Sequence, residues 1–249
     1  MTADAPDPRR RDGGAVEGMF SAIAPTYDLL NHLLSFNVDR SWRRAAVKAA
    51  KASPRMTCLD LCTGTGDLAL ELLRRVPVVA VGADFSGPML ARAKGKAAAR
   101  KVPLPLVRAD AMRLPFADAS FDRLLVAFGV RNFENLERGF SEMARVLRPG
   151  GRAVILEFSM PDRSLFGAVY RLYFGRLLPA IGRLVSGRRG AYRYLAATVE
   201  GFPPPAELAK KLALAGLRPC EQRPLTGGIA TLHVAERPGK AAPDGTLRE

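Results

Sequence analysis

The feature that most constrains the fold is an apolar strand that leads directly into a glycine-containing loop and a helix. Residues 57–69 read TCLDLCTGTGDLA, with a strand predicted over 56–61 and a helix over 66–75. Glycines at 64 and 66 let the backbone turn sharply and approach a ligand closely, and the helix start offers free N–H groups. The pattern predicts the first strand of an open parallel α/β sheet, with a nucleotide-like cofactor at its carboxyl end.

Three acidic residues help to choose the cofactor. Residues 64–69 fit a loose dinucleotide-binding pattern, and Asp84, after the next strand, is placed to accept ribose hydroxyls. Asp60, on the strand just before the loop, is unfavourable beside a pyrophosphate but suits the amino group and sulfonium of S-adenosylmethionine (SAM). Asp110, after the third strand, is placed to hold an adenine amino group. We therefore favour SAM, with an NAD-dependent dehydrogenase and a ligand-free turn as alternatives.

The rest of the chain alternates strands and helices, as a doubly wound sheet requires. Two late strands separated by 225–228 predict an antiparallel hairpin at the sheet edge, as class I methyltransferases have. We predict a Rossmann-like, mostly parallel, seven-stranded sheet with helices on both faces, in one domain over 18–237 between disordered tails at 1–17 and 238–249. The predicted strands are 56–61, 78–83, 104–108, 122–127, 152–158, 217–223 and 228–236, and the helices are 40–51, 66–75, 86–99, 134–147 and 205–215.

Charge and composition restrict the partners. A formal net charge of +14 calls for an acidic partner, either nucleic acid or an anionic membrane, unless the basic surface is merely solvated. Two histidines and three cysteines supply no zinc ligand set, so no metal is expected. The sequence has neither an apolar run of membrane-spanning length nor a signal-peptide pattern, so we expect a cytoplasmic protein.

Two segments outside the alternating core have unusual composition. Residues 18–53 are rich in apolar and aromatic residues, with Asp39 as the predicted cap of helix 40–51, and either close over the cofactor or pack on the sheet. Residues 163–199 contain seven arginines and no acid, interleaved with apolar residues at helical spacing. This composition favours an amphipathic surface on an anionic membrane, or a lid over an apolar substrate, more than nucleic acid. A helix packed on the sheet with a solvated basic face is the alternative.

The fourth strand ends at residues 127–133, AFGVRNF, which face the reactive end of the cofactor. Methyltransferases that act on exocyclic base amines resemble one another in an Asn or Asp-Pro-Pro-aromatic stretch here, and this chain lacks one. Arg131 and Asn132 are therefore candidates for substrate chemistry, the alternative being a surface arginine and a helix-capping asparagine.

Two longer stretches make the chain resemble the C-methyltransferases of menaquinone and ubiquinone biosynthesis over about residues 18–237. The stretch 27–42, YDLLNHLLSFNVDRSW, is similar to one family signature, and 145–159, RVLRPGGRAVILEFS, is similar to the other. Residues 61–67 and 128–132 agree as well. The sequence departs from the family at Leu30, Asp39 and Ala127, where Met, His and Ser are usual.

The resemblance implies a SAM-dependent C-methyltransferase that acts on a polyprenylated quinol, with demethylmenaquinol as the expected substrate. A benzoquinol precursor of ubiquinone or another lipid-like acceptor is the near alternative, and a basic RNA-binding protein with a vestigial pocket is the distant one. Arg131 is expected to stabilise the developing oxyanion directly or through a water, Asn132 to orient the hydroxyl, and Tyr27 and Asp28 to close the pocket. An anionic membrane surface and a homodimer are the expected partners beyond the quinol. The predicted cofactor-binding residues are Asp60, Thr63, Gly64, Gly66, Asp84, Asp110, Ala111 and Phe128.

Overall fold

A computed structural model gives the structure of the protein and describes residues 14, 17–19, 21, 35, 37–161, 167, 194 and 197–239. Short 3₁₀ turns lie at Val130–Asn132 and Thr226–Gly228. The strands are β1 (Thr57–Leu61), β2 (Val79–Asp84), β3 (Leu106–Arg108), β4 (Phe121–Ala127), β5 (Leu147–Phe158), β6 (Arg218–Leu225) and β7 (Ala230–Glu236). The helices with assigned bounds are α1 (Val38–Ala50), α2 (Asp67–Arg75), α3 (Gly87–Ala99), α4 (Leu136–Val146) and α5 (Pro205–Leu214).

All seven strands form one sheet, in the order β3-β2-β1-β4-β5-β7-β6. The first five strands are parallel, and β7 runs antiparallel to both β5 and β6. The mostly parallel sheet and its antiparallel terminal hairpin confirm the predicted fold. The chain order reverses between β1 and β4, and their carboxyl ends therefore form the crevice where an open α/β sheet binds ligands.

Helices cover the two faces of the sheet and bury a hydrophobic layer on each. On one face, Trp42 and Val47 of α1 and Leu72 of α2 pack against the sheet. On the other face, Phe140 of α4 and Leu208 of α5 occupy the corresponding layer. Central strands covered on both sides must be apolar at nearly every position, which explains the continuous apolar runs in β4 and β5. Among the residues described, no helix is both long enough and apolar enough to span a bilayer.

Local structure differs from the sequence prediction at two element starts. Helix α1 begins at Val38 after Asn37, so Asp39 is not its cap; the Asp39 carboxylate instead accepts hydrogen bonds from Ser35 and Arg43. Strand β5 begins at Leu147, five residues earlier than predicted, because Leu147 pairs with Phe121 ahead of a register shift. The arginine-rich segment 163–199, predicted to be a membrane-surface helix or a lid over an apolar substrate, lies almost wholly outside the described residues.

Candidate active site

The loop after β1 is shaped by backbone conformation and by one buried carboxylate. Gly64 and Gly66 both have positive φ, and α2 starts immediately after Gly66. Beneath the loop, Oδ2 of Asp60 accepts hydrogen bonds from the Thr63 hydroxyl at 2.6 Å and from the Ala69 backbone N–H at 2.9 Å. Asp60 therefore holds the loop against the first turn of α2.

Burial gives Asp60 an unusual proton affinity. Its side chain is almost completely buried, and desolvation raises its pKa to about 7, although hydrogen bonds from Thr63 and Ala69 act in the opposite direction. Asp84 adds to the rise through like-charge repulsion, and Arg43 opposes it. The carboxyl group is thus close to the midpoint of its titration at neutral pH, and a cation placed nearby would favour its ionised form.

Asp84 is the last residue of β2 and lines the cleft. Its Oδ2 accepts from the Gly64 backbone N–H at 2.8 Å, and its Oδ1 accepts from the Ser86 backbone N–H at 2.9 Å. Burial raises its pKa, while these backbone hydrogen bonds partly oppose that shift. The carboxylate is fixed between the two loops, in the position predicted to accept ribose hydroxyls.

The cleft brings together six of the predicted residues, namely Gly64, Asp84, Asp110, Ala111, Phe128 and Asn132. Asp60, Thr63, Gly66 and Arg131 lie behind this surface and do not line it. Tyr27 and Asp28 lie outside the described residues, so their predicted role in closing the pocket stays a prediction. Sequence reasoning missed several lining residues, including Phe85, Met89, Met112 and Glu134.

Glu17 is the most informative residue that the sequence analysis missed. It lines the cleft, and its Oε1 accepts from an Arg108 guanidinium nitrogen at 2.8 Å, across 91 positions of sequence. We predicted Glu17 as the last residue of a disordered tail, whereas in the structure its side chain lines the cleft and pairs with the end of β3. Nearby, the hydroxyls of Ser21 and Ser86 lie 3.2 Å apart, so described residues of the N-terminal segment contact both the end of β3 and the β2–α3 loop.

The lining of the cleft has a distinctive charge. Four carboxylates contribute to it, from Glu17, Asp84, Asp110 and Glu134, and the described residues that line it include neither lysine nor arginine. The protein as a whole carries a formal net charge of +14, so this acidic surface stands in contrast to its average. Glu17 is ion-paired with Arg108, but a pyrophosphate would still be repelled by the other carboxylates, whereas a sulfonium and an amino group would be attracted. The cleft therefore favours SAM over a dinucleotide.

The loop after β4 lies directly against the loop after β1. A Cβ atom built on Gly129 would lie 2.4 Å from the Cβ of Cys62 and 2.9 Å from its Sγ, so any larger residue at 129 would collide. Cys62 has a positive φ of 55° and stands where class I methyltransferases usually have their first glycine. The small residue needed at this contact is supplied by Gly129 instead.

Arg131 is buried and ion-paired, which excludes the surface alternative. One of its terminal nitrogens, Nη1, donates to Oε1 of Glu157 at 2.7 Å and also to the Phe128 carbonyl. Its guanidinium lies over the Phe158 ring, 5.3 Å from the centroid. Its Nε is buried and has no hydrogen-bond partner among the described residues. Asn132, the next residue, lines the cleft and accepts from the Tyr194 hydroxyl at 3.3 Å.

Aromatic packing connects this loop with α1. Phe128 lies 4.4 Å from Phe158 and 6.0 Å from Trp42, measured between ring centroids. The Trp42 indole N–H donates to the Thr226 hydroxyl at 2.8 Å, so α1 is also fixed to the terminal hairpin.

Among the residues described, no group of three or more His, Cys, Asp or Glu side chains could hold a metal ion.

Comparison with known proteins agrees with this geometry. Residues 8–237 match the ubiE/COQ5 methyltransferase family. The chain is 52% identical to the demethylmenaquinone methyltransferase of Thermus thermophilus, over 88% of this chain and 100% of that protein. It is 50% identical to the protein of the same name from Deinococcus radiodurans, over 95% and 100% of the two chains. A SAM-dependent methyltransferase from Aquifex aeolicus shares the fold, with a TM-score of 0.57 and 17% identity over 78% of this chain and 89% of that one.

Proposed function

Because the chain belongs to the ubiE/COQ5 family of SAM-dependent methyltransferases, we propose that it methylates a ring carbon of a polyprenylated quinol, with demethylmenaquinol as the substrate. The observation that carries the proposal is the cleft itself. Among the described residues, four carboxylates and no cation line it, which suits SAM. Phe128, Asn132 and Phe133 line it as well, which suits an aromatic ring with a hydroxyl. The names of the relatives from Thermus thermophilus and Deinococcus radiodurans support the choice of acceptor.

In this proposal each wall of the cleft has its own part in binding the cofactor. Asp84 accepts the ribose hydroxyls, and Asp110 with Ala111 borders the adenine. Gly64 lets the backbone approach the ligand, Gly66 permits the turn into α2, and Phe128 borders the cofactor from the β4 side. When bound, SAM supplies an electrophilic methyl group. Asp60 and Thr63 act from beneath, because their mutual hydrogen bond fixes the loop that forms the wall.

The acceptor must become nucleophilic before it can react. A phenolic hydroxyl ionises near pH 10, so at neutral pH its proton must be lost or shared for the neighbouring ring carbon to gain electron density. Asn132 would orient that hydroxyl. Arg131, which lies buried behind the cleft surface, would stabilise the developing oxyanion electrostatically, directly or through a water. Arginine is too basic to act as an ordinary proton acceptor.

The direct test is methyl transfer from radiolabelled SAM to two reduced acceptors, short-tail demethylmenaquinol and the 2-methoxy-6-polyprenyl-1,4-benzoquinol precursor of ubiquinone. We expect transfer to demethylmenaquinol, a lower rate with the benzoquinol, and none with the oxidised quinone, which has no hydroxyl to ionise. SAM binding without methylation of either quinol would overturn the substrate assignment. Tight competition by NAD for the cleft would overturn the cofactor assignment.

We also propose that the protein docks on an anionic membrane, and an arginine groove supports this. The groove lies between α1, α2 and the end of α3, and is lined by Arg40, Arg43, Arg44, Arg74 and Arg100 together with Asp67 and Glu71. Arg43 and Arg74 are engaged by acidic side chains. Arg40, Arg44 and Arg100 form no ion pair within the described part of the chain, and these cations are therefore available to phosphate headgroups.

Vesicle co-sedimentation tests the docking. Binding to vesicles of phosphatidylcholine with phosphatidylglycerol should fall in Arg40→Gln/Arg44→Gln, but not in Lys94→Gln/Lys210→Gln, which removes the same charge from exposed positions outside the groove. Equal losses of vesicle binding in both variants would mean that net charge, and not the groove, determines binding. A homodimer is the remaining partner expected from the sequence, and analytical ultracentrifugation tests it.

A further inference from the structure

Glu157, near the carboxyl end of β5, is a fully buried carboxylate that accepts hydrogen bonds from both the side chain and the backbone of Arg131. Its Oε1 accepts from the Arg131 guanidinium at 2.7 Å, and its Oε2 accepts from the Arg131 backbone N–H at 3.1 Å. A third bond comes from the Phe158 backbone N–H at 2.9 Å. A buried charge is costly unless it is paired and hydrogen-bonded, and this one is saturated by groups whose directions are fixed.

Arg131 also contacts other residues of the loop after β4, and so connects that loop to Glu157. Its guanidinium donates to the carbonyl of Phe128, a residue with a positive φ of 60° that a non-glycine side chain rarely adopts. The same guanidinium lies over the Phe158 ring. Asn132 follows at once and presents its side chain to the cleft. Both ends of the turn 128–132 are thus connected to one carboxylate, which does not itself line the cleft.

We propose that Glu157 is a positioning residue for methyl transfer. Through Arg131 it fixes the turn 128–132, and so sets where Asn132 faces the acceptor and where Phe128 borders the cleft. An ion pair achieves this better than apolar packing because its hydrogen bonds specify direction as well as distance. The identity of the acceptor rests on the function proposed above, whereas the fixing of the turn does not.

Glu157→Gln tests the proposal with little change of volume. It removes the charge and places an amide N–H₂ against donors of Arg131, so the turn loses its anchor. We expect kcat to fall by about 100-fold, the effect of a misplacement of about 1 Å in an active site. SAM affinity should change less, by no more than about threefold, because Phe128 is the one proposed cofactor contact on this turn and the groups assigned to ribose and adenine lie on other loops. Thr231→Val is the matched control, since Thr231 is buried directly across from Glu157 on β7 and bonds to Ser159 rather than to Arg131.

A double-mutant cycle separates positioning from general destabilisation. If Glu157 acts through Asn132, Glu157→Gln should lower kcat by less than about threefold in an Asn132→Ala background. Loss of packing alone would instead lower kcat by the same factor in both backgrounds, and that result would overturn the proposal. Should the Gln variant fail to fold, Glu157→Asp, which keeps the charge on a shorter stem, carries the same expectations.

Hydrogen exchange gives a readout that needs no substrate. The amides of Asn132 and Phe133 donate to the carbonyls of Gly129 and Val130 within the turn, so their protection reports its order. We expect faster exchange at these two amides in Glu157→Gln and unchanged exchange in Thr231→Val. Unchanged protection in Glu157→Gln would refute the positioning role. Changed protection in an enzyme that methylates neither quinol would leave the positioning role standing and remove only the proposed acceptor.

Discussion

Replacing Gly129 by alanine should place a methyl group inside the Cys62 side chain. The added Cβ would lie 2.4 Å from the Cys62 Cβ, where ordinary contacts begin at 3.4 Å. One of the two loops must therefore move by about 1 Å, and overpacking of this kind costs about 1–3 kcal/mol. For a chain of this length, where each 1 kcal/mol lowers Tm by about 2–4 °C, that loss corresponds to a Tm lower by about 2–12 °C.

The cost should disappear when the opposing side chain is removed. Cys62→Gly alone loses a small, partly buried side chain but relieves the strain of a positive φ, two effects of about 1 kcal/mol each and of opposite sign. In the Cys62→Gly background, Gly129→Ala should then cost less than about 0.5 kcal/mol, which gives a coupling energy of about 2 kcal/mol.

Thermal unfolding of the four proteins in this cycle measures the coupling directly. Isothermal titration with SAM adds a second readout, because Cys62 and Gly129 both line the cleft and a shifted loop should weaken binding. The reasoning would be refuted if Gly129→Ala lowered Tm equally with and without Cys62. Such additivity would mean that the two loops do not meet as described.

Two carboxylates give further predictions. Burial raises the pKa of Asp60 to about 7 in the unliganded protein, from an ordinary value of 3.8, and a bound cation should lower it again. SAM affinity should therefore rise with pH through about 7. Titrations with SAM at several pH values should show this dependence, and it should be absent in Asp60→Asn. Without SAM the same raised pKa stabilises the fold below about pH 4, and this contribution should be lost as pH rises through about 7, which denaturant unfolding would detect. Asp84→Asn can accept only one of its two backbone N–H bonds and loses its charge, so SAM affinity measured by calorimetry should fall about tenfold or more, whereas the exposed control Asp118→Asn should bind normally.

The sheet could be predicted because its signals are local. Apolar runs, the glycines at 64 and 66 and the turn at 225–228 each act over a few residues, and the strands, the helices and the terminal hairpin agree with them. The errors arise where a distant partner decides the outcome. Leu147 is part of β5 because it pairs with Phe121, and Asp39 is engaged by Arg43 and Ser35 instead of capping its helix.

Motifs in the sequence predict where the site lies, but they do not predict which way its side chains face. The sequence identifies the glycine loop and Asp84, yet it does not tell which side chains of the loop face the cleft and which, like Asp60 and Thr63, support it from beneath. Pairing was equally hidden, since Arg131 and Glu157 are separated by 26 positions and Glu17 and Arg108 by 91. No local pattern encodes such pairs; the fold brings them together.

The contact between Glu17 and Arg108 has a practical consequence for recombinant work. A residue near the amino end of the chain forms part of the cofactor cleft, whereas Glu236, at the end of β7, pairs with Arg152 and Arg218 and does not line the cleft. An affinity tag or fusion partner is therefore better attached at the carboxyl end. Activity that recovers after an amino-terminal tag is cleaved off would report the effect of the tag on that contact, and not a property of the enzyme.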